Sequence, residues 1–178
     1  MKALIITASS DKINQKYLDI ADKVSNFLAE NDFDLVFGAS SKSMMGICYE
    51  NFKNHKRTIY SLTTPKYQDQ LAILKDSKHY LYETTFDLKK ALFDNADIVI
   101  CLPGGVGTYS EVLSFIEEKR SNDNDKPIII YNENNFYKDI ISIIDNLIKE
   151  NFTSHDIYNS FTIINNFEEF KNEILRRK

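Results

Sequence analysis

The chain has 178 residues, 43% of them hydrophobic and 27% charged, which fits a single domain over residues 1–178 with enough apolar material for a full core. A formal net charge of −4 lacks the basic excess of a nucleic-acid footprint, and no apolar run approaches the roughly 20 residues that span a bilayer. Met1 to Thr7 is too short for a signal peptide, so a cytoplasmic protein is expected, with no nucleic-acid and no membrane partner. Cys48 and Cys101 are the only cysteines and have no CxxC spacing, so they are expected in the core rather than in a disulfide or zinc site.

Ala3-Leu4-Ile5-Ile6-Thr7 is a continuous apolar run, the pattern of a parallel strand covered on both faces; Ala8-Ser9-Ser10 follows as its loop. Tyr17, Ile20, Ala21, Val24, Phe27 and Leu28 recur at helical spacing, which predicts an amphipathic helix from about Gln15 to Glu30. Leu35 to Gly38 is a second strand. Gly38 to Gly46 is a small, polar stretch between that strand and a helix reaching about Phe52. Thr58 to Leu62 is a third strand, stopped at Thr63-Thr64-Pro65. Residues 66–78 are ambiguous, with a short helix around Tyr67 to Leu74, and His79 to Tyr82 is a short strand. Thr84 or Thr85 caps a helix running to about Asn95. Asp97 to Leu102 is a strand, and a helix starts near Thr108. Ser121 to Asp125 is a polar surface loop. Pro127 to Tyr131 is a buried strand, Ile140 to Ile148 mark a long helix, Phe161 to Ile164 form a last strand, and Phe167 to Arg177 a C-terminal helix with a solvated basic end.

Alternating strands and helices without repeats or a linker predict an α/β domain, a Rossmann-like, doubly wound, mostly parallel sheet with helices on both faces. Ligands in such folds bind at the carboxyl ends of the strands, near the point where strand order reverses. Ser9, Ser10, the stretch Gly38 to Gly46 and the stretch Gly104 to Glu111 are therefore expected to converge on one site.

The most informative of these is Leu102-Pro103-Gly104-Gly105-Val106-Gly107-Thr108-Tyr109-Ser110-Glu111, which holds three of the five glycines. Glycine permits positive φ and close approach of a ligand to the main chain. A helix start just downstream offers free N–H groups and a partial positive charge, the physical basis of a phosphate site, and Thr108 is placed to cap it. The plain alternative is a turn that only connects a strand to a helix. Elsewhere, neither GxGxxG nor GxxxxGK[ST] is present, nor a Gly-x-Ser-x-Gly elbow. His55, His79 and His155 lie far apart and near no paired carboxylates, so no metal site is expected.

Pro103 to Glu111 resembles the PGGxGTxxE signature of the Lonely Guy (LOG) family, the cytokinin riboside 5′-monophosphate phosphoribohydrolases, whose members often carry a lysine decarboxylase label. Ala8-Ser9-Ser10 is similar to that family's GSS turn, Tyr17 falls where its first helix has a tyrosine, and Gly38 to Gly46 resembles GGGxxGLMG with Ala39, Ser40 and Ser43 in place of glycines. The resemblance implies a homodimer that hydrolyses a nucleoside 5′-monophosphate without a cofactor. It places the 5′-phosphate on Gly104, Gly105, Val106, Gly107 and Thr108, with Ser9, Ser10, Gly38 and Gly46 lining the nucleotide site. It makes Glu111 the catalytic carboxylate, which activates water and faces the positive charge developing on the ribose. Aligned without gaps from Pro103, the family's MxxRK element falls on Thr85 to Lys89: the catalytic arginine is Leu88, and the kept Lys89 is the second catalytic candidate, since Lys89 or Lys90 can offer a point charge in place of the planar fork. Leu88, Ala91 and Leu92 share one helical face, so position 88 is expected to join the core. Two functions follow, a phosphoribohydrolase acting on AMP or an N6-modified relative, and a nucleotide-binding protein with weak or lost hydrolysis.

Overall fold

The first strand, β1 (Lys2–Ile6), runs through the middle of the sheet, and Ala3 to Ile6 are all buried. The computed structural model describes residues 1–122 and 125–178. After β1 come α1 (Gln15–Glu30), β2 (Asp34–Phe37), α2 (Ser43–Asn54), β3 (Ile59–Thr63), β4 (Lys78–Leu81), α3 (Thr85–Asp94) and β5 (Ile98–Cys101). Then follow α4 (Val106–Asn122), β6 (Ile128–Tyr131), α5 (Lys138–Lys149), β7 (Thr162–Ile164) and α6 (Phe167–Arg177). The seven strands lie in the order β4-β3-β2-β1-β5-β6-β7, and every pairing is parallel. The expected mostly parallel sheet is thus wholly parallel.

Alternation along each strand divides the interior in two. Ala3, Ile5 and Ile100 face a core shared with Val24, Leu28 and Phe52 from α1 and α2 and with Phe170 from α6. Leu4, Ile6, Val99 and Cys101 face the other, shared with Leu92, Phe115 and Ile140 from α3, α4 and α5. Each fully buried aliphatic side chain contributes on the order of 1.5–3 kcal/mol. Helices on both faces explain why the strands read as unbroken apolar runs.

Local chemistry sets most boundaries. The Asn14 side chain accepts from the Lys16 N–H at 3.2 Å and starts α1; Thr84 accepts from the Asp87 N–H at 3.1 Å and starts α3. Several expectations need correction. The helix expected between Tyr67 and Leu74 is a 3₁₀ segment, Pro65–Ala72, started by a proline that fixes φ. Helix α4 begins at Val106, two residues before the expected Thr108, so Thr108 is an interior position rather than a cap. The same helix runs on through Ser121 and Asn122, which belong to it and not to a surface loop; Asp123 and Asn124 of that expected loop lie outside the described residues. Two further 3₁₀ segments, Glu133–Asn135 and His155–Ser160, have no counterpart in the periodicity. Among the described residues no helix is long and apolar enough to cross a membrane.

Strand order reverses at β1, which pairs with β2 on one side and β5 on the other. The loops after β1 and β5 therefore diverge at the carboxyl edge and leave a crevice between them.

Candidate functional site

Loop 102–105 is pinned from below. The Leu102 N–H donates to the Ile6 carbonyl at 3.0 Å, and the Tyr137 hydroxyl donates to the Leu102 carbonyl at 2.6 Å. The Thr7 hydroxyl donates to the Pro103 carbonyl at 2.9 Å, and Thr108, buried, donates its own hydroxyl to the Thr7 carbonyl at 3.2 Å. Three of these bonds occupy the carbonyls of Thr7, Leu102 and Pro103. The first N–H of α4 taken by a backbone carbonyl is that of Tyr109, bonded to Gly105 at 3.0 Å. Among the described residues those of Val106, Gly107 and Thr108 have no acceptor. Three adjacent donors at the positive end of a 17-residue helix are an arrangement able to receive an anion.

The three glycines do different things, and none has positive φ. A Cβ on Gly104 would overlap the Thr108 side chain, so this glycine makes room for the hydroxyl that ties the loop down. Gly105 and Gly107 face open space, with nothing within 4 Å of a Cβ. The expected freedom of φ is not used here; bare backbone at a cleft is.

Two neighbouring lobes with shared walls make up that cleft. One, about 290 Å³, is lined by Ser9, Ser10, Met45, Gly107, Thr108 and Glu111. The other, about 300 Å³, has Lys12, Ile13, Tyr17, Met44, Gly104 and Phe136 on its walls. Ala8, Ser10 and Gly105 belong to both. The loop after β2 reaches the cleft through its methionines: the Met45 N–H donates to the Ala8 carbonyl at 3.2 Å. Gly38 and Gly46 do not line it. A Cβ on Gly46 would strike the Ser41 carbonyl, so Gly46 closes its own loop, while a Cβ on Gly38 would lie 3.7 Å from the end of Met45. In this stretch Ala39 and Ser43 have φ of 46° and 51°, a region that costs an L-residue about 1–2 kcal/mol.

Glu111 lies on the first turns of α4, half-buried in the cleft. Burial pushes its carboxyl up to about 7, with the Lys89 ammonium pulling the other way. Among the described residues it makes no hydrogen bond or ion pair. Lys89 instead donates to the Ser110 hydroxyl at 2.6 Å and lines a separate hollow between α3 and α4. Leu88 is packed against the core of that face, as its helical spacing requires. Burial holds both thiols far above neutrality, Cys48 at about 12, so neither is a nucleophile. No group of histidine, cysteine and carboxylate suited to a metal exists among the described residues.

Sequence reasoning missed Lys12, Ile13, Asn14 and Phe136 on the cleft walls, whereas Met44 and Met45 fall in the expected stretch Gly38 to Gly46. Phe136 follows β6, the strand next to β5; the topology alone places its loop beside the glycine loop.

The family model described as "Possible lysine decarboxylase" matches residues 39–174, and the chain belongs to that family. It is 26% identical over 151 residues to the cytokinin riboside 5′-monophosphate phosphoribohydrolase LOG2 of Arabidopsis thaliana, covering 84% of this chain and 71% of the relative. Its fold matches the molybdenum cofactor carrier protein of Chlamydomonas reinhardtii, with a TM-score of 0.72, 11% identity and coverage of 98% and 96%. It also matches the molybdenum cofactor binding protein of Rippkaea orientalis, with a TM-score of 0.68, 15% identity and coverage of 99% and 94%. At those identities the two structures are a likeness of fold.

Proposed function

We propose that the protein is a homodimeric phosphoribohydrolase that cleaves the N-glycosidic bond of a purine nucleoside 5′-monophosphate, AMP or an N6-modified relative. The products are free base and ribose 5-phosphate. The observation that carries this is the placement of Glu111, an unpaired carboxyl in a cleft beside three free amides of the same helix. The 5′-phosphate sits on the N–H groups of Val106, Gly107 and Thr108, with Gly105 and Gly107 letting its oxygens approach. Glu111, ionising near neutrality, takes a proton from the water that adds to C1′ and faces the positive charge that builds there as the C1′–N bond breaks. The bonding pair leaves with the base, which recovers a proton, so one water is consumed per turnover.

Leu88 favours a second function, nucleotide binding with weak hydrolysis. The family's arginine is absent, and Lys89 is committed to Ser110, so no planar guanidinium meets the substrate. Incubation of the purified protein with AMP, with adenine and ribose 5-phosphate followed by chromatography, separates the two. Appearance of both products supports hydrolysis; a raised melting temperature without products leaves binding alone. Leu88→Arg is expected to raise hydrolysis about tenfold, and an unchanged rate would show that the guanidinium does not limit this protein.

A further inference from the structure

We infer that the cleft takes a nucleotide extended beyond its 5′-phosphate, a pyrophosphate-bridged dinucleotide whose second half fills the lobe between Tyr17 and Phe136. This rests on the phosphate and Glu111 assignments made above. For Glu111 to act at C1′, the ribose must occupy the lobe that holds Gly107, Thr108 and Glu111. The phosphate then lies at the amides beside Gly105, which with Ala8 and Ser10 is common to both lobes. A mononucleotide runs from that junction toward Glu111 only, and leaves the other lobe, about 300 Å³, without an occupant.

The chemistry of that lobe names what fits. Tyr17 and Phe136 meet edge to face at 5.4 Å between ring centroids, and Ile13 and Met44 extend the same apolar wall, a surface suited to a planar ring. Lys12 stands on the wall with no acidic partner among the described residues, whereas nearby Lys42 is neutralised by Asp11 at 3.1 Å. Lys12 lines the lobe together with Gly104 and Gly105, and a second ammonium, that of Lys16, stands 4.9 Å over the Tyr17 ring; positive charge beside an aromatic wall matches a second phosphate followed by a second ring-bearing group.

Calorimetric titration with AMP and with diadenosine 5′,5′-diphosphate tests this, run on the wild type and on Glu111→Gln, which keeps the nucleotides intact. The dinucleotide is expected to bind at least about tenfold more tightly than AMP. Lys12→Ala, at an exposed position that leaves the fold intact, and Tyr17→Ala should each erase most of that advantage while changing AMP affinity less than about twofold. Equal affinities for the two ligands would overturn the inference and leave the phosphate site standing. Loss of AMP affinity by the same factor in Lys12→Ala would also overturn it, since the lobe would then hold part of the mononucleotide itself. Binding of neither ligand would overturn both assignments.

Discussion

Between β2 and the start of α2 the backbone turns left-handed at Ala39 and Ser43, whereas between β5 and the start of α4 no residue does, although Gly104, Gly105 and, one residue into α4, Gly107 stand there. The first loop has kept a glycine-type path without glycine side chains. The second has kept glycines for the volume they leave empty, at Gly104 for a threonine and at Gly105 and Gly107 for a cleft. Glycine in a sequence therefore reports two separable properties, a torsion and a vacancy, and at Gly105 and Gly107 it is the vacancy that is present. Strain is tolerated in the loop whose contribution to the cleft comes from Met44 and Met45.

The largest expected effect belongs to the helix that the β5 loop introduces. Glu111→Ala should lower AMP turnover by about 10³-fold or more, within the range for a lost acid–base and electrostatic group, with nucleotide affinity nearly kept. Lys42→Ala in the β2 loop, whose partner Asp11 is itself exposed, should leave turnover unchanged; equal losses in both would erase the distinction between the loops. Because burial places the Glu111 carboxyl at about 7 and the base must be ionised, kcat/KM should rise about tenfold per pH unit below that value and level off above it. A flat profile from acid to neutral pH would remove Glu111 as the base.

Substituting the glycines themselves sharpens the contrast. Gly104→Ala forces a methyl into the Thr108 side chain and should cost about 2–3 kcal/mol of stability by chemical denaturation. Gly105→Ala meets no protein atom, so stability should stay within about 0.5 kcal/mol while AMP affinity falls about tenfold. If both alanines destabilised alike, the vacancy at Gly105 would be structural. The smallest effect is a gain. Ser43→Gly relieves a φ of 51° and should stabilise the protein by about 1 kcal/mol, visible as a rise in Tm of about 2–4 °C.

Much of the architecture was legible because burial on both faces leaves a strong mark: Ile128 to Tyr131 can be little else than a covered parallel strand. The convergence of Ser9, Ser10, Gly105, Gly107, Thr108 and Glu111 was legible too, since parallel topology sends these loops to one edge. What escaped depended on contacts made across the fold. Thr108 has the composition of a cap, yet its hydroxyl is drawn to the Thr7 carbonyl and the helix begins earlier. Lys12 and Phe136 carry no pattern of their own; they matter because α1 and the segment before α5 bring them to the same wall.

Thr7 connects these observations to the way the protein comes apart. Its hydroxyl reaches Pro103, 96 residues away, and its carbonyl receives Thr108, 101 residues away. The proposed anion site thus forms only once β1 and β5 lie side by side, one of the most distant pairings in the chain. Contacts of such separation form late, so bound nucleotide should act mainly on the return journey, slowing escape from the native state and leaving the rate of folding almost untouched.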